Sequence, residues 1–205
     1  MTPYVYVVDD DQSVRNSLQW LLESVGIRTR VFADARSFLD TYQPGSPGCL
    51  VLDVRMPGMS GLDLQQQLRE LEIDVPVIIV TGHADVPMAI RAMKDGAVDF
   101  IEKPYSDQIL LERIQAALAS DVQEQARRER VARIRANFDH LTFREKQIFE
   151  RIVAGKPNKA IATELSISVK TVEVHRSRLM SKMQAGSLSE LVKQALLLAD
   201  VSGKL

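Results

Sequence analysis

Four sets of polar residues interrupt apolar runs in this chain: Asp9, Asp10 and Asp11 after YVYVV, Asp53 after CLVL, Thr81 and Gly82 after VPVIIV, and Lys103 with Pro104 after VDFIE. If the fold gathers them, three or more carboxylates meet in one crevice, and each raises the others' pKa unless a cation is present. Mg²⁺ resolves that conflict, because it takes one or two carboxylates, keeps several waters and joins a substrate phosphate. Asp10 and Asp53 are the expected direct ligands, Asp9 acts through water, and the backbone carbonyl of Arg55, just after Asp53, adds another oxygen. Lys103 supplies a mobile ammonium and Thr81 a hydroxyl donor, both suited to phosphoryl oxygens. An ionised Asp53 is then a nucleophile toward phosphorus, forming an aspartyl-phosphate while Mg²⁺ and Lys103 offset charge. Such a modification adds about 1.5 to 2 negative charges at one point.

Neighbouring residues have plainer roles. Asp11 directly precedes an amphipathic run and reads as a helix N-cap rather than a ligand. His83 has no companion His or Cys and reads as a loop residue. In MPGMSG, Pro57 keeps Met56 extended, and Gly58 and Gly61 are expected to release backbone strain before the next helix. The single cysteine, Cys49, opens an apolar run and reads as a buried thiol, which excludes a disulfide framework.

The elements that must carry these residues alternate. Apolar runs at 4–8, 27–32, 49–52, 75–80 and 98–101 are each followed by a stretch of helical period, the first being SVRNSLQWLLESVG. Five βα units imply a doubly wound, five-stranded parallel α/β sheet, whose ligands bind beyond the carboxyl ends of the strands. All four polar sets fall at such ends. If strands one, three, four and five lie side by side, the sets converge.

From about residue 121 to 140 the pattern changes to DVQEQARRERVARIRANFDH, without Gly or Pro, which reads as a helical linker continuing a helix that starts near Ser106; its irregular apolar spacing favours a solvated charged helix over a partner-binding coiled coil. Residues 141–200 read as four short helices, with Thr142 and Glu145 forming a capping box and Gly155 stopping the first helix. Charge divides the same way. Residues 1–120 hold 10 Lys and Arg against 17 Asp and Glu, whereas 121–205 hold 16 against 10. An acidic part that handles cations and a basic part that meets an anionic surface would give that division.

In the basic part, NKAIATELSISVKTVEVHRSRLMSKM contains two helical patterns joined near Ser166 to Ser168. Ile161, Ala162 and Leu165 form one buried stripe, and Val172, Leu179 and Met183 the other. The remaining surface of the second helix carries Lys170, Thr171, Glu173, His175, Arg176, Ser177, Arg178 and Lys182. Entry into a DNA major groove and an exposed helix of a small bundle both fit this pattern. His140 and His175 lack metal-site spacing and read as structural.

VVDDD, LDVRMPGMSG, VTGHAD and DFIEKPY resemble the receiver domain of two-component response regulators. LTFREKQIFERIVAGKPNKAIATELSISVKTVEVHRSRLMSKM resembles the LuxR-type helix-turn-helix, and the whole arrangement resembles FixJ-type regulators. The resemblance implies a receiver at 1–119 with a flavodoxin-like sheet, a helical linker at 120–137, and an all-α, four-helix DNA-binding domain at 138–205. It implies that a cognate sensor histidine kinase donates phosphate to Asp53, that Asp9 and Asp10 serve Mg²⁺, and that Thr81 and Lys103 report the phosphate. Phe100 falls at the family's aromatic switch. Glu173, Val174 and Ser177 fall at groove-facing positions, and Lys159, Arg176, Arg178 and Lys182 near phosphates of promoter DNA. An acidic side chain at Glu173 leaves base preference open.

The expected function is transcription regulation switched by phosphorylation, through a homodimer whose face lies near DGAVDFIEKPY, with RNA polymerase allowed as a further partner. A Mg²⁺-dependent phosphohydrolase using Asp53 is the first alternative, but its leaving-group acid would fall two residues on, where Arg55 stands. A small-ligand sensor is the second, and the acidic crevice speaks against it. No apolar run approaches the roughly 20 residues of a membrane span. Acids at 9–11 interrupt any signal peptide, so the sequence reads as cytoplasmic.

Overall fold

Five apolar runs become parallel strands in the computed structural model, which describes residues 3–202 apart from 44 and 46. They are β1 (Tyr4–Val8), β2 (Arg28–Phe32), β3 (Gly48–Asp53), β4 (Val77–Thr81) and β5 (Asp99–Glu102), in the order β2-β1-β3-β4-β5. Strands one, three, four and five therefore stand side by side. Asp53, Thr81 and Glu102 belong to the ladder, with Asp53 opposite Val80 and Thr81 opposite Glu102. The sequence pattern ended each of these strands one residue early, because a ladder is made by backbone groups and is indifferent to a polar side chain at its end.

Side chains along a strand alternate between faces. Tyr6, Val8, Leu50, Leu52, Val77 and Ile79 pack with Phe38, Leu64 and Ala92 from α2 (Ala35–Thr41), α3 (Gly61–Glu70) and α4 (Val86–Lys94). Val5, Val7, Cys49, Val51, Ile78 and Val80 pack with Leu18 and Leu22 of α1 (Gln12–Ser24) and Leu110 and Ile114 of α5 (Asp107–Asp139). Helices thus cover both faces, and every residue of central β3 is buried. Each fully buried Leu, Ile or Val contributes about 1.5 to 3 kcal/mol, so the strand that ends in Asp53 is a rigid mount.

The helix expected near Ser106 and the expected linker form one helix, the 33-residue α5. Buried Asp121 ties it to the sheet, accepting from the Gly48 N–H at 2.8 Å and the Gln125 side chain at 3.1 Å. The chain divides into two compact units after Gln125, inside the stretch read as a linker.

The second unit contains the end of α5 with α6 (Phe143–Val153), α7 (Asn158–Glu164), α8 (Val169–Met183) and α9 (Leu188–Ser202). Its core gathers Ile134, Ile148, Phe149, Ile161, Val172, Leu179, Met183 and Leu191. Both helical stripes expected from the sequence are buried. The capping box forms: Thr142 Oγ1 accepts from the Glu145 N–H at 3.3 Å, and Glu145 Oε2 from the Thr142 N–H at 2.8 Å. The α6 helix stops at Val153, two residues before Gly155. Between α7 and α8, Ser166 turns the chain with φ of 53°, and Ser168 caps α8 through the Thr171 N–H at 3.0 Å. Among the described residues no helix is long and apolar enough to cross a membrane.

Candidate phosphoryl site and nucleic-acid face

The crevice at the strand ends is organised around Lys103. Its Nζ donates to Asp9 Oδ2 at 2.8 Å and to Asp53 Oδ1 at 2.9 Å. The other oxygens are also engaged: Asp9 Oδ1 accepts from the Asp11 N–H at 2.9 Å, and Asp53 Oδ2 from the Arg55 N–H at 2.6 Å. Asp9 and Asp53 are only 4% and 7% exposed. Thr81 is buried beside them in the ladder, its Oγ1 accepting from the His83 N–H at 3.3 Å. The Thr81 carbonyl accepts from the Lys103 N–H at 2.8 Å, which fastens the end of β4 to the lysine. Arg15, which the sequence pattern did not single out, donates from Nη1 to the Asp9 carbonyl at 2.7 Å.

Burial pushes the Asp53 carboxyl above its ordinary value; Lys103 and the Arg55 N–H pull it back, and the charge of Asp9 adds to the rise. For Lys103, burial favours the neutral amine, but its bonds to Asp9 and Asp53 outweigh this and raise its pKa. The crevice is therefore electrostatically loaded: ionised Asp53 is held by one lysine against desolvation and a neighbouring carboxylate, and further positive charge there would be favourable.

The loop after Asp53 is shaped by two glycines with different requirements. Gly58 has φ of 81°, the strain-releasing role expected of it. Gly61 needs room: a Cβ there would lie 2.1 Å from the Asp53 carbonyl oxygen and 3.1 Å from Leu52 Cγ. That corrects the expectation of strain release at Gly61, since the pressure is a close backbone approach, with the Gly61 N–H donating to the Val54 carbonyl at 3.0 Å.

Asp9 and Asp53 are brought together, whereas Asp10 is exposed. Among the described residues no three His, Cys, Asp or Glu side chains surround a common metal position. The donor set still fits Mg²⁺, because its atoms are hard oxygens and this ion needs only one or two carboxylates with waters. Asp11 is the N-cap expected, accepting from the Ser13 N–H at 2.7 Å. Phe100 is half-buried against the core of α2, α3 and α4, and His83 is exposed.

On the second unit, Lys170, Glu173, Val174, Ser177 and Arg178 are exposed on α8, and Lys159 is exposed on α7. Thr171 shares a 2.8 Å hydrogen bond with Ser168. Arg176 donates to Asn158 Oδ1 at 3.0 Å, joining α8 to α7. Lys182 donates to Glu145 Oε2 at 2.7 Å and to the His140 carbonyl at 3.4 Å, so its charge already has a partner. Burial opposes ionisation of Glu145, yet the bonds from Lys182 and Thr142 hold its carboxyl below the ordinary range.

Comparison with known proteins agrees with both halves of this geometry. Residues 5–115 match the response regulator receiver domain, and residues 139–195 match the bacterial regulatory proteins of the luxR family. The chain is 46% identical to the transcriptional regulatory protein FixJ of Bradyrhizobium diazoefficiens, with 94% of each chain covered. It is 43% identical to the response regulator protein TodT of Pseudomonas putida, covering 92% of this chain and 83% of that one. Among solved structures, the response regulator StyR superimposes with a TM-score of 0.88 at 43% identity, covering 95% of this chain and 98% of that one. Full-length FixJ from B. japonicum gives 0.58 at 42% identity, with 96% and 97% covered. The chain belongs to the response regulators that join a receiver domain to a LuxR-type DNA-binding domain, a family of transcription regulators rather than of catalytic enzymes.

Proposed function

We propose that Asp53 accepts a phosphoryl group from a phosphohistidine of a partner kinase and that the acquired charge regulates promoter binding by the second unit. The observation that carries this reading is the Lys103 ammonium bridging Asp9 and Asp53 at 2.8 and 2.9 Å. A carboxylate oxygen of Asp53 forms the new P–O bond as the P–N bond to the donor imidazole breaks and the imidazole nitrogen leaves with the bonding pair. Lys103 Nζ lies against the attacking carboxylate and can move to a phosphoryl oxygen without leaving the crevice. Thr81, fixed through its backbone to Lys103, offers a hydroxyl proton to another oxygen. Asp10, Asp53 and the Arg55 carbonyl would hold Mg²⁺, with Asp9 acting through water. When bound, the ion supplies charge neutralisation at the phosphoryl oxygens.

A rearranged Thr81 would let half-buried Phe100 change its packing against the core and so alter the surface of α4 and β5. Ile90, Met93 and Val98 are exposed there, as is Ile109 at the start of α5, an apolar face suited to a second copy of the chain. Dimerisation pairs two DNA units on one site. Lys159, Lys170 and Arg178 then meet phosphates, while Glu173, Val174 and Ser177 face base edges, and Thr171 and Arg176 set the pose of α8. RNA polymerase is a further partner on this reading.

Fluorescence anisotropy with duplexes selected by the protein from a random pool tests the switch. Acetyl phosphate with Mg²⁺ changes the affinity of the wild type and promotes its dimer in sedimentation, whereas Asp53→Asn responds in neither assay. An affinity and oligomeric state that ignore stoichiometric phosphorylation of the wild type would refute the proposal.

A further inference from the structure

The second unit contains a cavity of about 140 Å³ that neither phosphoryl transfer nor groove reading uses. Its walls come from the end of α5, the end of α8 and from α9. Arg130, Arg133 and Asn137 project from α5 at spacings of three and four, hence from one face of that helix. Gln194 and Glu190 come from α9. Both arginines are exposed, so the mouth is cationic and open, whereas Gln194 is 6% exposed.

Gln194 Nε2 donates to the Met183 carbonyl at 3.2 Å, which fixes the amide's orientation. No described group donates to its Oε1. A buried acceptor in that condition favours any occupant that brings a donor. Glu190 is engaged elsewhere, its Oε2 accepting from the Gly186 N–H at 2.9 Å. Two guanidinium groups against one carboxylate leave net positive charge, and guanidinium geometry matches oxyanions. A cavity of this size holds a molecule of about six heavy atoms, as an apolar cavity of similar volume holds benzene.

We infer that this cavity binds a small oxyanion that carries its own hydroxyl donor, of which monohydrogen phosphate is the simplest. Its ionised oxygens meet Arg130 and Arg133, and its P–OH donates to Gln194 Oε1. Sulfate has the same shape and charge but no proton to give at neutral pH, so the site prefers phosphate. Occupancy joins α5 to α8 and α9 within the unit and thereby stiffens the support of the groove-facing helix. The inference stands apart from phosphorylation at Asp53, which uses none of these residues.

The test is an NMR titration of the full ¹⁵N-labelled chain with sodium phosphate and, separately, sodium sulfate at fixed pH and ionic strength. The readouts are the backbone amides of Gln184 and Glu190 and the side-chain amide of Gln194, so phosphate bound elsewhere does not register. Phosphate shifts these signals saturably, and sulfate does so at least about tenfold more weakly, the discrimination expected when one buried acceptor is left unpaired. Arg130→Gln with Arg133→Gln, both at exposed positions, abolishes the response, and Gln194→Leu removes the preference between the anions at the Gln184 and Glu190 amides. No saturable shift with phosphate, equal response to both anions in the wild type, or a response that survives loss of both arginines would overturn the inference.

Discussion

Replacing Gly61 by alanine places a methyl group 2.1 Å from the Asp53 carbonyl oxygen, where ordinary contact begins at 3.4 Å. The obstacle is backbone on both sides, so the α3 start and the end of β3 must separate by about 1 Å, the scale of shift that overpacking forces at about 1 to 3 kcal/mol. The Gly61 N–H bond to the Val54 carbonyl, 3.0 Å long, lies in the path of that movement, and its loss adds about 1 kcal/mol. A total of about 3 kcal/mol lowers the melting temperature of a receiver-sized unit by about 10 °C. The same movement shifts the Asp53 carboxylate relative to Lys103, and a misplacement of about 1 Å costs about 100-fold in rate. Circular dichroism on heating and single-turnover phosphorylation by acetyl phosphate read the two effects. A Gly61→Ala variant with unchanged melting temperature and unchanged rate would refute the steric reasoning and, with it, the claim that this glycine holds the acceptor in place.

Lys103→Met leaves two buried carboxylates without their shared cation and costs about 3 kcal/mol at neutral pH; urea unfolding shows the deficit shrinking as pH falls and Asp53, whose carboxyl already lies above its ordinary value, protonates. Millimolar Mg²⁺ raises the melting temperature of that variant more than that of the wild type, because it restores positive charge between Asp9 and Asp53; equal shifts would contradict the fit. The Glu145 carboxyl lies below its ordinary value in the folded unit, so its contribution is present above the unfolded carboxyl's pKa and lost as pH falls through the folded one. Glu145→Gln is accordingly less stable than the wild type at pH 7, and the two converge in strong acid in chemical denaturation. Arg178→Ala weakens binding to all duplexes and lowers the salt slope by about one unit, whereas Lys182→Ala, which loses the Glu145 partner, acts first on stability; anisotropy against salt and thermal unfolding separate the two.

Most of the candidate site was legible because its residues announce themselves as polar ends of apolar runs, and a parallel sheet collects strand ends at one edge. Asp9, Asp53, Thr81 and Lys103 needed only the strand order to meet. What the pattern could not give was who holds whom. Three acids in a row look equivalent, yet Asp9 turns inward to Lys103, Asp10 is exposed and Asp11 caps α1. Arg15 acts through the Asp9 carbonyl just before its own helix and Asp121 through the N–H of Gly48 in a distant strand, contacts that leave no periodic trace. Gly61 looked like a turn residue, and only the fold reveals the carbonyl it must clear. In the second unit the buried stripes are plain from spacing, whereas nothing in the spacing shows that Lys182, expected near DNA phosphates, also donates to Glu145.

Incubating the full chain with a phosphohistidine donor or acetyl phosphate in Mg²⁺, trapping the acyl phosphate with borohydride and mapping the peptide by mass spectrometry shows which residue takes up the phosphoryl group. One phosphoryl group per chain is expected, located at Asp53 and absent from Asp53→Asn. Label on another residue, or a wild-type chain that takes up none while the donor remains active toward a control receiver, would contradict it.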